Sequence, residues 1–271
     1  MPELPEVETT RRGLLPRVLG RRIRGVVVRN ASLRWPVPRD LPSRLRGEKF
    51  LDIRRRGKYL LFDCRTGHLL VHLGMSGRLS LVAAGEPPRA HDHVDVQFDG
   101  DETLRLTDPR RFGAMLWVNG PAENHALLKG LGIEPLESAF TGAALRQLAR
   151  GRKVAIKQFL MNGRIVTGVG NIYASEALFQ AGVHPMRETG RISPARWERI
   201  ALAVRATLER ALAAGGSTLR DFADADGRQG HFQYEFRVYG REGLPCTRCG
   251  ARIRTLRQGQ RSTFYCPHCQ R

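Results

Sequence analysis

Cys246-Thr247-Arg248-Cys249, sixteen residues, then Cys266-Pro267-His268-Cys269: the last twenty-six residues carry two Cys-x-x-Cys knuckles. This spacing predicts a short β-hairpin that brings four thiolates to one tetrahedral ion, a zinc ribbon. Sulfur fills all four positions, so no coordination site is left for a substrate, and the expected ion, one structural Zn2+, shapes the chain without catalysing. Such an ion contributes roughly 10–16 kcal/mol of apparent folding free energy, enough to hold a tail with few apolar side chains. A pair of disulfides is the alternative. Cys64, alone in a strand-like apolar run, and the lack of a secretory signal at the start of the sequence argue against it.

Working outward, 271 residues suffice for two domains, and no fixed-period repeat or low-complexity tract interrupts them. No stretch approaches the roughly 20 apolar residues that cross a bilayer, so the expectation is a soluble, cytoplasmic protein. The formal net charge is +19, from 45 basic against 26 acidic residues, and arginine dominates it. The planar guanidinium fork matches phosphate oxygens, and a field of this sign speeds encounter with a polyanion. Nucleic acid is the partner this balance favours. An anionic membrane surface is the alternative, and genomic base composition accounts for some of the arginine but not for the net charge.

Residues 20–118 read as short, often alternating strands separated by turns rich in Gly, Pro, Asp or Arg: 22–28, 50–53, 59–64, 68–73, 79–82, 94–98, 104–107 and 115–118. After a short helical opening they predict an antiparallel β-sandwich. From about Pro121 the pattern turns helical, with candidates at 141–150, 154–161, 172–181 and 193–214. The last is the clearest. Ser193 can cap it, Pro194 suits its first turn, Trp197, Ile200, Val204, Leu208 and Ala211 share one face, and Gly215-Gly216 ends it. The expected fold class is α+β in two domains. Residues 1–120 form a β-sandwich with an N-terminal helix, 121–134 link it to helices over 135–243, and 244–271 form the ribbon.

The chain opens Met1-Pro2-Glu3-Leu4-Pro5-Glu6-Val7-Glu8. A small second residue favours removal of Met1, which would leave a secondary amine beside a carboxyl group. An α-amine titrates at about 7.7–8.0 against about 10.4 for lysine, so near neutrality it is far more often unprotonated and nucleophilic. Its attack on an aldehyde carbon gives an iminium, an electron sink for elimination. Pro2 can equally be a residue that only begins a helix whose positive end Glu3, Glu6 and Glu8 favour.

Taken together, the stretches Met1-Pro-Glu-Leu-Pro-Glu-Val-Glu-Thr, Arg56-Gly-Lys-Tyr, His72-Leu-Gly-Met-Ser-Gly, Asp108-Pro-Arg-Arg-Phe-Gly and Gly168-Val-Gly-Asn-Ile-Tyr-Ala, closed by the ribbon, resemble the bacterial formamidopyrimidine-DNA glycosylase family, relatives of endonuclease VIII. The resemblance runs in order from the first residue to the last. It implies a bifunctional DNA glycosylase and abasic-site lyase of base excision repair, acting on oxidised purines in double-stranded DNA; two domains around one duplex need no symmetry, so a monomer is expected. It also implies that the helical domain carries a helix-two-turn-helix.

On that resemblance Pro2 is the nucleophile that forms a Schiff base at C1′, and Glu3 the acid/base partner. Lys58 donates a proton during β-elimination and Arg261 serves δ-elimination. Without the family, Lys58 is a solvated turn residue and Arg261 a phosphate clamp near the tip of a hairpin. Asn171 belongs to the helix-two-turn-helix grip on DNA, expected as the residue before helix 172–181, where it can cap. An enzyme acting on a base must rotate it out of the stack and fill the space it leaves. Met75, Arg110 and Phe112 match the void-filling residues, although Met75 and Phe112 alone would pass for core packing. His72 is expected as a phosphate donor, His91, Arg110 and Arg152 as DNA contacts, and Lys157 as a basic position near the lesion pocket. Residues 217–230 correspond to the loop that caps the lesion. Two other readings remain open: the endonuclease VIII branch, which prefers oxidised pyrimidines, and a DNA-binding protein that has lost catalysis.

Overall fold

The computed structural model describes residues 1–217 and 230–271; most of the expected lesion-capping loop lies outside the described residues. Contacts gather the chain into two units, Met1–Lys129 with Ala214–His231, and Gly130–Ala213 with Phe232–Arg271. The break at 129/130 falls inside the expected connection 121–134. The ribbon groups with the helices, and Ser217 groups with the first unit because Glu6 binds it, as shown below.

The first unit opens with α1 (Leu4–Val18), which has Pro5 in its first turn and buries Leu4, Val7, Leu14 and Val18. Pro16 lies inside the last turn, where its ring offers no N–H to the Arg12 carbonyl. Next come β1 (Ile23–Val28), a one-turn helix α2 (Leu41–Leu45) too short for a periodicity to reveal, and seven more strands. These are β2 (Asp52–Arg56), β3 (Tyr59–Asp63), β4 (His68–His72), β5 (Arg78–Ala83), β6 (Asp92–Phe98), β7 (Glu102–Thr107) and β8 (Ala114–Val118). They form two antiparallel four-stranded sheets, ordered β1-β6-β7-β5 and β2-β3-β4-β8. Each expected strand is present. One is displaced: the segment expected at 50–53 becomes a ladder from Asp52↔Asp63 to Arg56↔Tyr59. Three successive arginines hid its continuation. Arg54 is held across the ladder by Asp63 at 2.6 Å, and Arg55 from helix α1 by Glu8 at 3.2 Å, so charge partners replace the apolar alternation. Phe50 instead turns into the core, where it meets Phe62 at 4.8 Å and Phe98 at 5.9 Å between ring centroids.

The second unit contains α3 (Gly142–Leu148), α4 (Ile156–Leu160), α5 (Asn171–Ala181), α6 (Pro194–Ala213) and the hairpin β9 (Arg254–Gln258)–β10 (Arg261–Tyr265). Thr141 caps α3 by accepting from the Ala144 N–H, and Ser193 Oγ accepts from Arg196 N at 3.4 Å where α6 starts. The expected stripe of α6 from Trp197 to Ala211 is buried. The ribbon is tied to α5: Phe179, Val238, Cys246, Ile253 and Cys266 share a small core, and Gln270 donates to Val183 O at 3.0 Å. Among the described residues, no helix is long and apolar enough to cross a membrane.

Candidate active site

At the amino terminus Pro2 is buried and Glu3 is 3% exposed. The Glu6 carboxylate fixes this end from two sides. Its Oε2 accepts from Glu3 N at 2.8 Å, and its Oε1 accepts from the backbone N and hydroxyl of Ser217 at 2.8 and 3.0 Å. A charge-assisted acceptor with three donors positions both the helix start and the last residue before 218–229. With Met1 attached, the Pro2 nitrogen is an amide, so nucleophilic chemistry there requires the methionine to be removed.

Lys58 occupies the two-residue connection between β2 and β3. Gly57 takes φ of +58° while Lys58 does not enter the left-handed region, which makes the turn type II′ and projects Lys58 from a rigid hairpin. Tyr59 pairs with His72 of β4, their rings 4.7 Å apart. Burial, with the positive charges of Lys58 and Arg34, pushes the His72 pKa down to about 4. His72 Nδ1 accepts from Gly74 N at 3.1 Å, which leaves Nε2 as the protonated nitrogen of a neutral ring. His72 is thus available to a phosphate as a neutral donor and not as a cation.

Two loops behind it are welded backbone to backbone. Gly74 has φ of +62°, and a Cβ there would lie 2.4 Å from the Phe112 carbonyl carbon; one at Gly113 would lie 2.8 Å from His72 O. Asp108, fully buried, ties the loops together by accepting from Ser76 Oγ and Gly113 N, each at 2.8 Å. Arg111 adopts φ of +56°, a strained conformation for a residue with a side chain. On this platform Met75 is 39% and Phe112 41% exposed, so neither packs in the core, and the Arg110 guanidinium stacks 4.9 Å from the Phe112 ring. A cavity of about 500 Å³ beside them is lined by Arg34, Arg110, Arg111 and Phe112. His91 is exposed, and its carbonyl accepts from Asp108 N at 3.0 Å.

In the second unit Asn171 is the first residue of α5, not its cap: Gly170 takes that position with extended backbone. The Asn171 side chain turns instead to the hairpin. Its Oδ1 accepts from Lys157 Nζ at 2.7 Å and its Nδ2 donates to Ser262 O at 3.1 Å. Lys157 is only 1% exposed, and its ammonium also donates to Thr263 Oγ1 at 2.7 Å and Ser262 O at 3.3 Å. It borders, with Asn171, Gln258 and Arg261, a cavity of about 270 Å³. Arg261 is exposed and opens β10 opposite Gln258, beside the two-residue tip. Arg152 is exposed, and its Nε donates to Leu148 O at the end of α3.

The four cysteine sulfurs lie within 4.8 Å of one another, with Cys246–Cys269 at 3.9 Å and Cys249–Cys266 at 3.5 Å. Zn–S bonds of about 2.3 Å in a tetrahedron separate sulfurs by about 3.8 Å, so the set fits one zinc ion.

Sequence reasoning missed several contributors. Arg34 stands in a loop that offers only Trp35, 4.7 Å from its guanidinium, as a clue. Glu176 is a carboxylate inside the apolar run of α5, and that anomaly is a readable signal. It accepts from the backbone N–H groups of Arg237, Val238 and Tyr239 at 3.0, 3.0 and 2.8 Å, while burial holds its pKa above the usual range.

Three family models match the chain: the formamidopyrimidine-DNA glycosylase N-terminal domain over residues 1–115, the H2TH domain of the same glycosylase over 131–223, and the zinc finger found in FPG and IleRS over 243–271. Proteins named formamidopyrimidine-DNA glycosylase from Methylococcus capsulatus and Syntrophotalea carbinolica are each 56% identical over 271 residues, covering both chains completely. Among solved structures, a point mutant of Lactococcus lactis FPG bound to DNA containing Fapy-dG superposes with a TM-score of 0.93 at 34% identity over the whole of both chains. The MutM (FPG) protein of Thermus thermophilus superposes at 0.89 with 39% identity, covering 99% of this chain and 98% of that one. The Lactococcus lactis FPG complex with abasic-site DNA superposes at 0.92 with 34% identity, covering 99% of each chain.

Proposed function

The chain belongs to the formamidopyrimidine-DNA glycosylase family, and from that membership we propose how its residues divide the chemistry. The protein is a base-excision-repair DNA glycosylase for oxidised purines, with the abasic-site lyase activity typical of its family and one structural zinc. Its partner is double-stranded DNA carrying Fapy or abasic lesions.

With Met1 removed, the Pro2 amine attacks C1′ of the damaged nucleotide. The C1′–N bond breaks, the base departs with a proton, and the iminium links Pro2 to the sugar. Glu3, desolvated beside Pro2, opens the sugar ring and relays the proton. Loss of the C2′ proton then expels the 3′ phosphate in β-elimination, with Lys58 as proton donor. A second elimination, assisted by Arg261, expels the 5′ phosphate, and hydrolysis of the iminium frees Pro2. Met75, Arg110 and Phe112 fill the vacated stack. His72, His91, Arg152 and Asn171 bind the strands, and Lys157 acts through Asn171. We take the monomer as the working unit and chromosomal DNA as its location.

The observation that carries this assignment is the exposure of Met75 and Phe112 on a platform of welded backbone. Side chains of that kind gain nothing in water and much between unstacked bases. The test is excision from duplexes containing 8-oxoguanine or thymine glycol, combined with borohydride trapping on abasic DNA. A covalent adduct at Pro2 and preference for 8-oxoguanine are expected. Preference for thymine glycol, or no adduct, overturns the reading.

A further inference from the structure

Arg105 lies within β7, 4% exposed, directly opposite Asp95 of β6. Its Nε and Nη2 grip the two Asp95 oxygens at 2.9 Å each, and Asp92 Oδ2 lies 3.5 Å from Nη1. Arg29 shares Asp95 at 2.5 Å. Burial works to raise the Asp95 pKa, but the hydrogen bonds from Arg105 and Arg29 hold it below the usual carboxylate range. A buried sheet pair of this kind needs no more than that. Yet Arg105 continues outward: Nη2 donates to Glu86 O at 2.9 Å and Nη1 to Pro87 O at 3.4 Å.

Those carbonyls belong to residues 84–91, the loop between β5 and β6, which ends in His91. All of its residues except Glu86 are exposed. Apolar burial therefore cannot place this loop, and its position depends on polar anchors. Besides Arg105, these are Asp101 O, which accepts from Ala84 N at 2.8 Å, Asp92 Oδ2, which accepts from Arg89 N at 2.8 Å, and Asp108 N, which donates to His91 O at 3.0 Å. Asp92 is fixed by Thr107 Oγ1 at 2.5 Å and Asp108 by Ser76, so the anchors of residues 89 and 91 lead back to the same buried network and to the platform under Met75 and Phe112.

We propose that Arg105 is a positioning residue for DNA engagement, holding loop 84–91, and His91 with it, against the sheet through the Glu86 and Pro87 carbonyls. The role of His91 rests on the function proposed above. A guanidinium serves this arrangement where an ammonium does not. Its planar fork spends one edge on Asp95 and still presents N–H groups to two carbonyls, while lysine offers a point charge that neutralises Asp95 but cannot span both.

The experiment uses the full chain with Arg105→Lys, His91→Ala and the double variant. Hydrogen exchange of the free protein is read over residues 84–92, and steady-state excision is read on an 8-oxoguanine duplex. For Arg105→Lys, exchange over 84–92 should accelerate while β3 and β4 keep their protection. KM should rise about three- to tenfold with kcat within about twofold, and His91→Ala added to it should raise KM little further. Unchanged exchange over the loop, or an unchanged KM, overturns the proposal, as does full additivity with His91→Ala. If the wild-type protein excises nothing, the function reading fails by itself, and the exchange arm still decides whether Arg105 holds the loop.

Discussion

The Lys157 ammonium lies 2.7 Å from the side-chain oxygen of Asn171, the first residue of α5. Because the same ammonium reaches Thr263 and Ser262 in β10, one buried charge pins the start of α5 to the hairpin that bears Arg261. A turn with an amide side chain and a ribbon with an arginine thus share a single reference point within the second unit.

Replacing Lys157 by methionine keeps the length of the side chain but removes the charged donor from Asn171 Oδ1, Thr263 Oγ1 and Ser262 O, of which Ser262 O keeps its bond from Asn171 Nδ2. Hydrogen bonds to a charged group contribute about 1.5–3 kcal/mol each when a partner is removed, and relaxation recovers part of that. The Lys157→Met protein should lose about 2–4 kcal/mol in urea unfolding and should bind abasic duplex more weakly. Stability within about 0.5 kcal/mol of wild type would contradict the pin.

Phe112→Ala and Met75→Ala test the opposite kind of residue. Met75 is 39% and Phe112 41% exposed, so each change should cost about 1 kcal/mol or less, well under the roughly 2–5 kcal/mol of truncating a core side chain. Excision of 8-oxoguanine should nonetheless fall by about tenfold or more in kcat/KM. Cleavage at a preformed abasic site should fall less, because no base has to be unstacked. A large loss of stability with unchanged excision would return both residues to the core.

His72 gives a pH signature. Its folded pKa is lowered to about 4 from the ordinary 6.5, so the fold favours the neutral ring. That stability is fully present above pH 6.5. It is lost as pH falls towards 4, because the unfolded chain takes up the proton first, at up to about 1.4 kcal/mol per pH unit. Between pH 7 and 5 the wild-type protein should lose about 2 kcal/mol more than His72→Asn in urea unfolding. Parallel losses would mean that the ring titrates normally.

The sandwich and the long helix were legible because their apolar core residues alternate or repeat, as Val94, Val96 and Phe98 do in β6 and Trp197 to Ala211 do in α6. The cysteine spacing was legible because coordination geometry restricts it. Asn171 was read as a cap because that is what an asparagine before a helix does locally. A lysine fourteen residues earlier and a hairpin ninety residues later redirect it, and such partners leave no mark in a local pattern. The resemblance puts Lys157 at a basic position near the lesion pocket; the burial of its ammonium between Asn171 and Thr263 leaves no mark in the sequence, since charge there says nothing about burial. The roles of Arg105, Asp108 and Glu176 arise from backbone carbonyls and N–H groups that become their partners only once the chain has folded.

Salt separates a charged contact from a neutral one. Each cation that neutralises a phosphate releases a counterion and contributes about 0.9 to the slope of log affinity against log salt. Arg152 is an exposed cation, so Arg152→Gln should weaken binding to an abasic duplex and reduce that slope by about 0.9. His72 at pH 7.5 is a neutral donor, so His72→Asn should weaken binding at every salt concentration while leaving the slope unchanged. A phosphate at Nε2 would have to raise the ring pKa by about three units before protonation became part of binding, against the standing repulsion of Lys58 and Arg34. A slope reduced in His72→Asn as much as in Arg152→Gln would mean that DNA supplies that shift. The two lines, measured on one duplex between about 50 and 200 mM salt, decide the protonation state in which His72 meets the strand.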